Sequence, residues 1–598
     1  MSLQGQESTA VRQLPLPQPT RASHWAYQAP QRPDRAIIAE AGSNPIDVLL
    51  ASKWQGAGVV ASGPEQRVLL ARRIYLDVIG LPPSTSELAE YMADDEPGAY
   101  ERLVDRLLAS PHFGERWAVP WLDLARYGDT NGYNFDGRRS VWLYRDWVID
   151  AINDDMPFDR FTVEQLAGDL LPDASESTRV ATGFHRNTML NNEGGVDPKE
   201  ARWERLLDRA STTGTTWLGS TFHCAQCHDH KYDPISQREF YGLVAFFETA
   251  DEVTIKREDG VKTLAFREQP RREPRTPFHV RGAYDNVKGE VVAHLPAALA
   301  PSLDRLAPKS ARRDRLLLAR WLMSEGNPLT ARVAANRIWT EIFGQSLVDT
   351  PEDWGMQAKR PLHLDLIDWL ATEYVRVGWS RKRLIRAIVT SQTYRRSARA
   401  TAAQRSRDPQ NRYYGRSPRY RLDAERIRDV WLVASGLISR KVGGPSVYPV
   451  QADTSGVTPM NKVSMRWPTS QGEDRWRRGL YTFWRRTAPF VALDAFDAPS
   501  REVCVVRRER SNTPLQALVG LNDPTAVACA EALAERMRQQ PGTALDQLAF
   551  GFAACVQRTP ESAELEALVA AFDREPAEQR WQRIAIVLLN LDETLSRP

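Results

Sequence analysis

The chain has 598 residues, 26% charged and 42% apolar, with a net charge of only +3. That length calls for two or more domains, each with its own core, and the small charge excludes a nucleic-acid-binding surface as the organising principle. No run of 18 apolar residues occurs, so no segment is expected to span a membrane.

Residues 1 to 43 are polar, Pro-punctuated and Gln-rich, and read as an extended leader with His24-Trp25 as an anchor. Helical patterning starts at Asn44-Pro45. An amphipathic helix over Arg67–Ile79 stops at Gly80-Leu81-Pro82-Pro83, and Ser84-Thr85-Ser86-Glu87 reads as a capping box for the next one. Further helices are expected over Tyr100–Leu108, Trp117–Tyr127, Trp142–Ile152, Phe161–Leu171, Glu200–Thr213 and Phe240–Glu248. From 251 to 310 Pro, Arg and alternating Val/Thr dominate, with Phe278–Gly282 strand-like, which predicts a linker with a small β insert. Helical texture returns from 311 to 598, with 445–478 loop-like. The predicted fold is mainly α, in two helical domains (44–250 and 311–598) joined by the short Pro/Arg-rich segment with its small β element.

The chemistry-bearing stretch is Phe222-His223-Cys224-Ala225-Gln226-Cys227-His228-Asp229-His230-Lys231-Tyr232-Asp233-Pro234. Cys224, Cys227 and His228 form C-x-x-C-H, the attachment signature of c-type haem. Two thiols one helical turn apart can each add to a porphyrin vinyl group, and the adjacent imidazole becomes the proximal iron ligand. With 5 Cys and 9 His in the chain, chance produces this pattern on the order of once per thousand such chains. The alternative is a zinc or iron site. No second Cys pair exists, since Cys504, Cys529 and Cys555 are scattered, but His223, His228 and His230 with Cys224 or Asp233 supply enough donors. Such a site would activate water in a hydrolase, or serve as a structural metal in a non-catalytic surface protein. His230 also reads as a residue that orients His228 or anchors the haem propionates.

Several stretches are similar to a known family. Arg72-Arg73-Ile74-Tyr75-Leu76-Asp77 with Gly80-Leu81-Pro82-Pro83, Trp121–Tyr127, Asp129-Thr130-Asn131-Gly132, Gly183-Phe184-His185-Arg186-Asn187 and Cys224–Pro234 resemble the cytochrome-like domain of large secreted proteins of Planctomycetes and related bacteria, the PSCyt type. Asn327–Val333, Asn336-Arg337-Ile338-Trp339, Ser391–Arg395, Phe496-Asp497-Ala498-Pro499 and Asn512–Leu518 are similar to its usual companion, the PSD type. The resemblance implies secretion and a covalent c-type haem; the family carries no settled activity.

Covalent haem attachment in bacteria takes place outside the cytoplasm, whereas Met1–Gln6 lacks the form of a secretory signal. The expectation is a periplasmic or extracellular protein whose sequence begins after a removed signal. Its function would be electron transfer to a redox partner protein, or haem-based oxidation linked to polysaccharide breakdown. A distal ligand would come from His185, Met189, Met356 or Met460. Glu193, Glu200 and Asp208 are paired-acid candidates, with salt bridges to Arg202, Arg205 and Arg209 the simpler reading. Asp129, Asn131 and Asp136 have calcium-loop-like oxygen spacing without the full pattern. The charged group Arg485, Arg486, Asp494, Asp497, Arg501 and Glu502, beside Trp484, Phe490 and Phe496, suits carbohydrate contacts or a buried ion-pair network.

Overall fold

The computed structural model describes residues 24–34, 43–133, 135–299, 312–451 and 467–598. About half of the chain is helical, and among the described residues the strands form small two-stranded sheets only. The mainly α class read from periodicity is the observed one.

The helices that matter below are α1 (Arg67–Val78), α2 (His112–Leu124), α3 (Trp142–Asn153), α4 (Phe158–Ala167), α5 (Pro198–Thr213) and α6 (Gln237–Ala245). Two antiparallel hairpins follow. The first pairs β1 (Ala250–Lys256) with β2 (Lys262–Glu268), and the second pairs β3 (Arg275–His279) with β4 (Val287–Val292). Then come α7 (Arg315–Leu322), α8 (Thr330–Phe343), α9 (Leu364–Arg376), α10 (Arg381–Val389), α11 (Ala424–Ser435) and a C-terminal helical group, Pro514–Asn522, Pro524–Arg538, Ala544–Val556, Ser562–Arg574 and Arg580–Leu589. The capping box at Ser84 forms as read: Ser84 Oγ accepts the Glu87 amide at 3.2 Å and Glu87 Oε2 accepts the Ser84 amide at 2.8 Å.

The hydrophobic interior divides at a different place from the change of sequence texture. One core is built from residues between Ala26 and Tyr414, with Val447, Leu480 and Tyr481 added to it, and brings Trp121 and Trp217 together with Trp339, Trp369 and Tyr374. A second core is built from Leu422 to Leu589, with Leu76 added to it. The reason is that α7–α10 pack onto the N-terminal helices. Arg315 of α7 is buried and donates to Leu166 O (2.8 Å), to Asp169 (2.8 Å) and to Glu268 (3.0 Å), so α4, β2 and α7 share one ion-pair knot. The 24–34 stretch is likewise anchored on later residues. The His24 imidazole meets Trp354 O at 2.9 Å, Trp25 Nε1 donates to Ala358 O at 3.2 Å, and Tyr27 is buried.

The chain end is stitched into the first core's rim. Ser596–Arg597 pairs with Tyr420–Arg421, and Arg597, wholly buried, donates Nε to the equally buried Asp77 of α1 at 3.0 Å.

Candidate functional site

The C-x-x-C-H segment is a 3₁₀ turn, Phe222–Gln226, capped by Cys227. Three residues per turn eclipse side chains at i and i+3. Phe222 and Ala225 therefore point inward and are buried, while Cys224 and Cys227 share an outward face, free and exposed. The next residue, His228, is exposed as well, and its Nδ1 lies 2.7 Å from Asp229 O. A carbonyl at that distance fixes the proton on Nδ1 and leaves the Nε2 lone pair available.

The turn is held from three sides. Gln237, at the start of α6, donates its side-chain amide to Gln226 O (2.8 Å) and to His279 O (3.0 Å), which ties the turn to β3. Asp229 Oδ1 accepts the Gln237 amide at 2.8 Å. Gly282, at φ +69° in the β3–β4 connection, lies so close that a Cβ there would come within 2.6 Å of Cys227 Sγ. An aromatic group, Trp203, Tyr241, His279 and Tyr284, stacks beside it, and burial, with a contribution from Cys227, raises the Tyr241 phenol above its ordinary pKa. The expected linker is thus one wall of the site.

Behind His228 the chain closes a second turn. His230 N donates to Ile235 O and His230 Nδ1 accepts the Asp233 amide, each at 2.8 Å. Asp233 is buried and accepts the Met356 amide on Oδ1 at 2.6 Å. Gly355 makes that approach possible, because a Cβ there would sit 2.3 Å from the carboxylate. Desolvation raises the Asp233 pKa above the usual carboxylate value, against the opposing pull of the Met356 amide and His230.

The other predicted residues fall as follows. His223 is exposed on the same turn. Among the described residues no three His, Cys, Asp or Glu side chains converge as a metal site, so the His223, His228, His230 and Asp233 donors are not gathered on one point. His185 is wholly buried, edge-on to Phe184 and Phe247, with Nε2 3.2 Å from Thr213 Oγ1; it presents no exposed nitrogen. Met189 packs at Gly132, Met356 lies at Asp233 through its amide, and Met460 is outside the described residues.

The oxygens of Asp129 and Asp136 accept protein donors: Tyr127 OH and Ser446 Oγ on Asp129 Oδ1, Trp484 N on Asp129 Oδ2, Gly132 N on Asp136 Oδ1 and Thr487 on Asp136 Oδ2. Hydrogen bonds lock that loop. Asp208 is ion-paired with Arg126, while Arg205 and Arg209 pair with Glu252 and Arg202 with Glu248. Of the later charged group, Arg501 joins Arg508 in facing buried Asp123 and Glu425, Arg486 is buried, Asp497 pairs with Arg421, and Asp494 and Glu502 are exposed. Sequence reasoning missed Gln237, Gly282, Gly355 and the aromatic group. Only Gly282 carried a local signal, a glycine ending a strand-like piece.

The donor set fits a covalently attached haem, with two open thiols on one face and an adjacent imidazole whose Nε2 is unengaged among the described residues. The fold and this turn define a mainly helical two-region chain with a C-x-x-C-H element in its first region. Residues 45–252 match PSCyt2, described as a protein of unknown function (DUF1549), and residues 314–572 match PSD1, described as a protein of unknown function (DUF1553). The chain carries these two domains in that order. Nothing matched among curated proteins or among solved structures.

Proposed function

We propose that the 222–235 turn is the attachment site of haem c in a periplasmic or extracellular protein that transfers electrons. The observation that carries this reading is the shared outward face of Cys224 and Cys227, followed at once by His228 with its Nδ1 engaged. Cys224 and Cys227 would hold the group through thioether bonds and His228 through Nε2. Bound there, haem would supply a one-electron couple and, with an open iron, a place for oxygen or peroxide. The chain's own part is positional. Asp229 O sets the His228 tautomer, Gln237 clamps the turn to β3, and the His230–Asp233–Met356 chain of hydrogen bonds stiffens the segment behind the imidazole. A partner protein would exchange the electron at the exposed turn. The link to polysaccharide breakdown comes from the bacteria that carry such chains.

The test is an absorption spectrum of the full chain produced with a haem-attachment system. A Soret band that stays with the protein through acid–acetone extraction, and is lost from that fraction in Cys227→Ser, supports the reading. Protein without a Soret band, or covalent haem retained in a Cys224→Ser/Cys227→Ser variant, rejects it.

A further inference from the structure

A cavity of about 60 Å³ lies between α2, α4, α8, α9 and the start of α10, and no residue of the 222–235 turn lines it. Trp117, Trp121, Phe158 and Tyr374 make its apolar wall. Its polar groups include donors without acceptors. Arg381 is only 8% exposed, and its guanidinium stacks over Phe161 at 5.4 Å. Among the described residues Arg381 has no carboxylate within salt-bridge distance. Arg337 donates its two terminal nitrogens to Thr215 O and Thr216 O, which leaves its buried Nε without a partner. Trp117 Nε1 is buried and without an acceptor too. The one acid in the lining, Glu341, is paired with Arg116 at 2.9 Å.

Burial makes both cations costly: desolvation lowers the pKa of Arg381, against the opposing pull of Tyr374 and of Asp155 beyond salt-bridge distance, and lowers that of Arg337 to about 10. An anionic acceptor inside the cavity would offset that cost. An adjoining cavity of about 380 Å³ shares Pro120, Thr340, Glu341 and Val506 with the first, and its arginines, Arg507, Arg508 and Arg510, lie beside Asp123, Asp423 and Glu509.

We propose that this cavity binds a small monocarboxylate, its carboxylate on Arg381 and its apolar or aromatic body against Trp117, Trp121, Phe158 and Tyr374. The site is independent of the haem reading. A planar guanidinium offers a carboxylate two parallel hydrogen bonds, and the unpaired Arg337 Nε and Trp117 Nε1 are carried by residues of the same lining. The room available, a few water-sized positions, favours short or single-ring acids over chains.

The experiment uses the full chain, with thermal unfolding and calorimetric titration against propionate, benzoate, the neutral isostere benzyl alcohol, and sulfate. The expected result is a rise in Tm and saturable binding with propionate or benzoate, and none with benzyl alcohol or sulfate. Arg381→Met should weaken binding at least tenfold while keeping the helical circular dichroism of the parent. Trp117→Phe, which removes only the Nε1 donor, should weaken it by a smaller factor and stands in if Arg381→Met does not fold. The proposal is overturned if neither carboxylate binds, if benzyl alcohol or sulfate binds as well as they do, or if binding survives both substitutions unchanged.

Discussion

The Asp233 carboxylate accepts the backbone amide of Met356 at 2.6 Å across 123 residues of chain, so the turn behind His228 is braced by the second family region. Asp233 is also 3.4 Å from His230 Nδ1, which already accepts the Asp233 amide. Burial raises the Asp233 pKa, so the folded state binds a proton more readily than the unfolded chain does. Its contribution to stability is therefore fully present below the unfolded value, about 3.9, and declines as pH rises through the folded value. Asp233→Asn keeps an acceptor for Met356 and adds a donor facing His230. It should flatten that decline and leave stability at pH 7 equal or higher. Asp233→Ala removes the acceptor and should cost about 1–3 kcal/mol, the desolvation penalty of an orphaned amide. Urea titrations of the three proteins between pH 4 and 7 test this; a steeper pH dependence in Asp233→Asn would refute it.

The five thiols should separate into classes by rate. Cys224 and Cys227 are exposed, Cys504 is intermediate, and Cys529 and Cys555 are buried in the second core. Burial pushes the Cys529 thiol up to about 11 and the Cys555 thiol up to about 12, so both lack the reactive thiolate at neutral pH. Alkylation of haem-free protein followed by peptide mass mapping should label Cys224 and Cys227 first, and Cys529 and Cys555 only after unfolding. Protection of Cys224 and Cys227 in the native protein would contradict the outward face described for the turn.

Arg597 and Asp77 tie the last residues to α1. Both are wholly buried, Asp77 also accepts Tyr394 OH at 2.8 Å, and Arg597 donates to Ser417 Oγ at 2.9 Å. Removing one partner leaves a buried charge unpaired, which costs about 3–5 kcal/mol. Arg597→Met should lower stability by that order, and Asp77→Asn/Arg597→Met together should cost less than the single change. A double-mutant cycle in urea checks the sign of the coupling.

What was legible in the sequence was local. The helices followed from 3.6-residue periodicity, the Ser84 cap from a four-residue pattern, and the candidate turn from the five residues of C-x-x-C-H. None of these needs knowledge of where distant segments meet. The contacts that shape the site are of the other kind. Met356 on Asp233, Gln237 on His279 O, and Gly282 against Cys227 depend on how α6, the β3–β4 hairpin and the 351–358 stretch pack, and no short-range pattern encodes that. The same holds for the division between the two cores: the Pro/Arg-rich change of texture at 251–310 marks the hairpins, while Arg315, Asp169 and Glu268 decide that α7 joins the first core.

Gly282 gives the most direct test of the wall beside the thiols. Its φ of +69° disfavours any residue with a Cβ, at about 1–2 kcal/mol, and the added atom would fall 2.6 Å from Cys227 Sγ and 3.3 Å from Gln226 O. The 2.6 Å contact is with the end of the Cys227 side chain, which must turn away, while the 3.3 Å contact with Gln226 O is with backbone and presses on the 3₁₀ turn. The Gln237 amide, which holds Gln226 O and His279 O at once, would then lose one of its two acceptors. Gly282→Ala should therefore lower stability by about 1–3 kcal/mol, combining the backbone strain with part of a hydrogen bond, and should change the alkylation rate of Cys227 more than that of Cys224. If haem c attaches at this turn, the same variant should reduce the yield of covalent haem while Gly289→Ala, at a glycine with nothing within 4 Å of its Cβ position, should not. Equal Cys224 and Cys227 rates in Gly282→Ala, with stability unchanged, would show that the β3–β4 connection does not press on the turn.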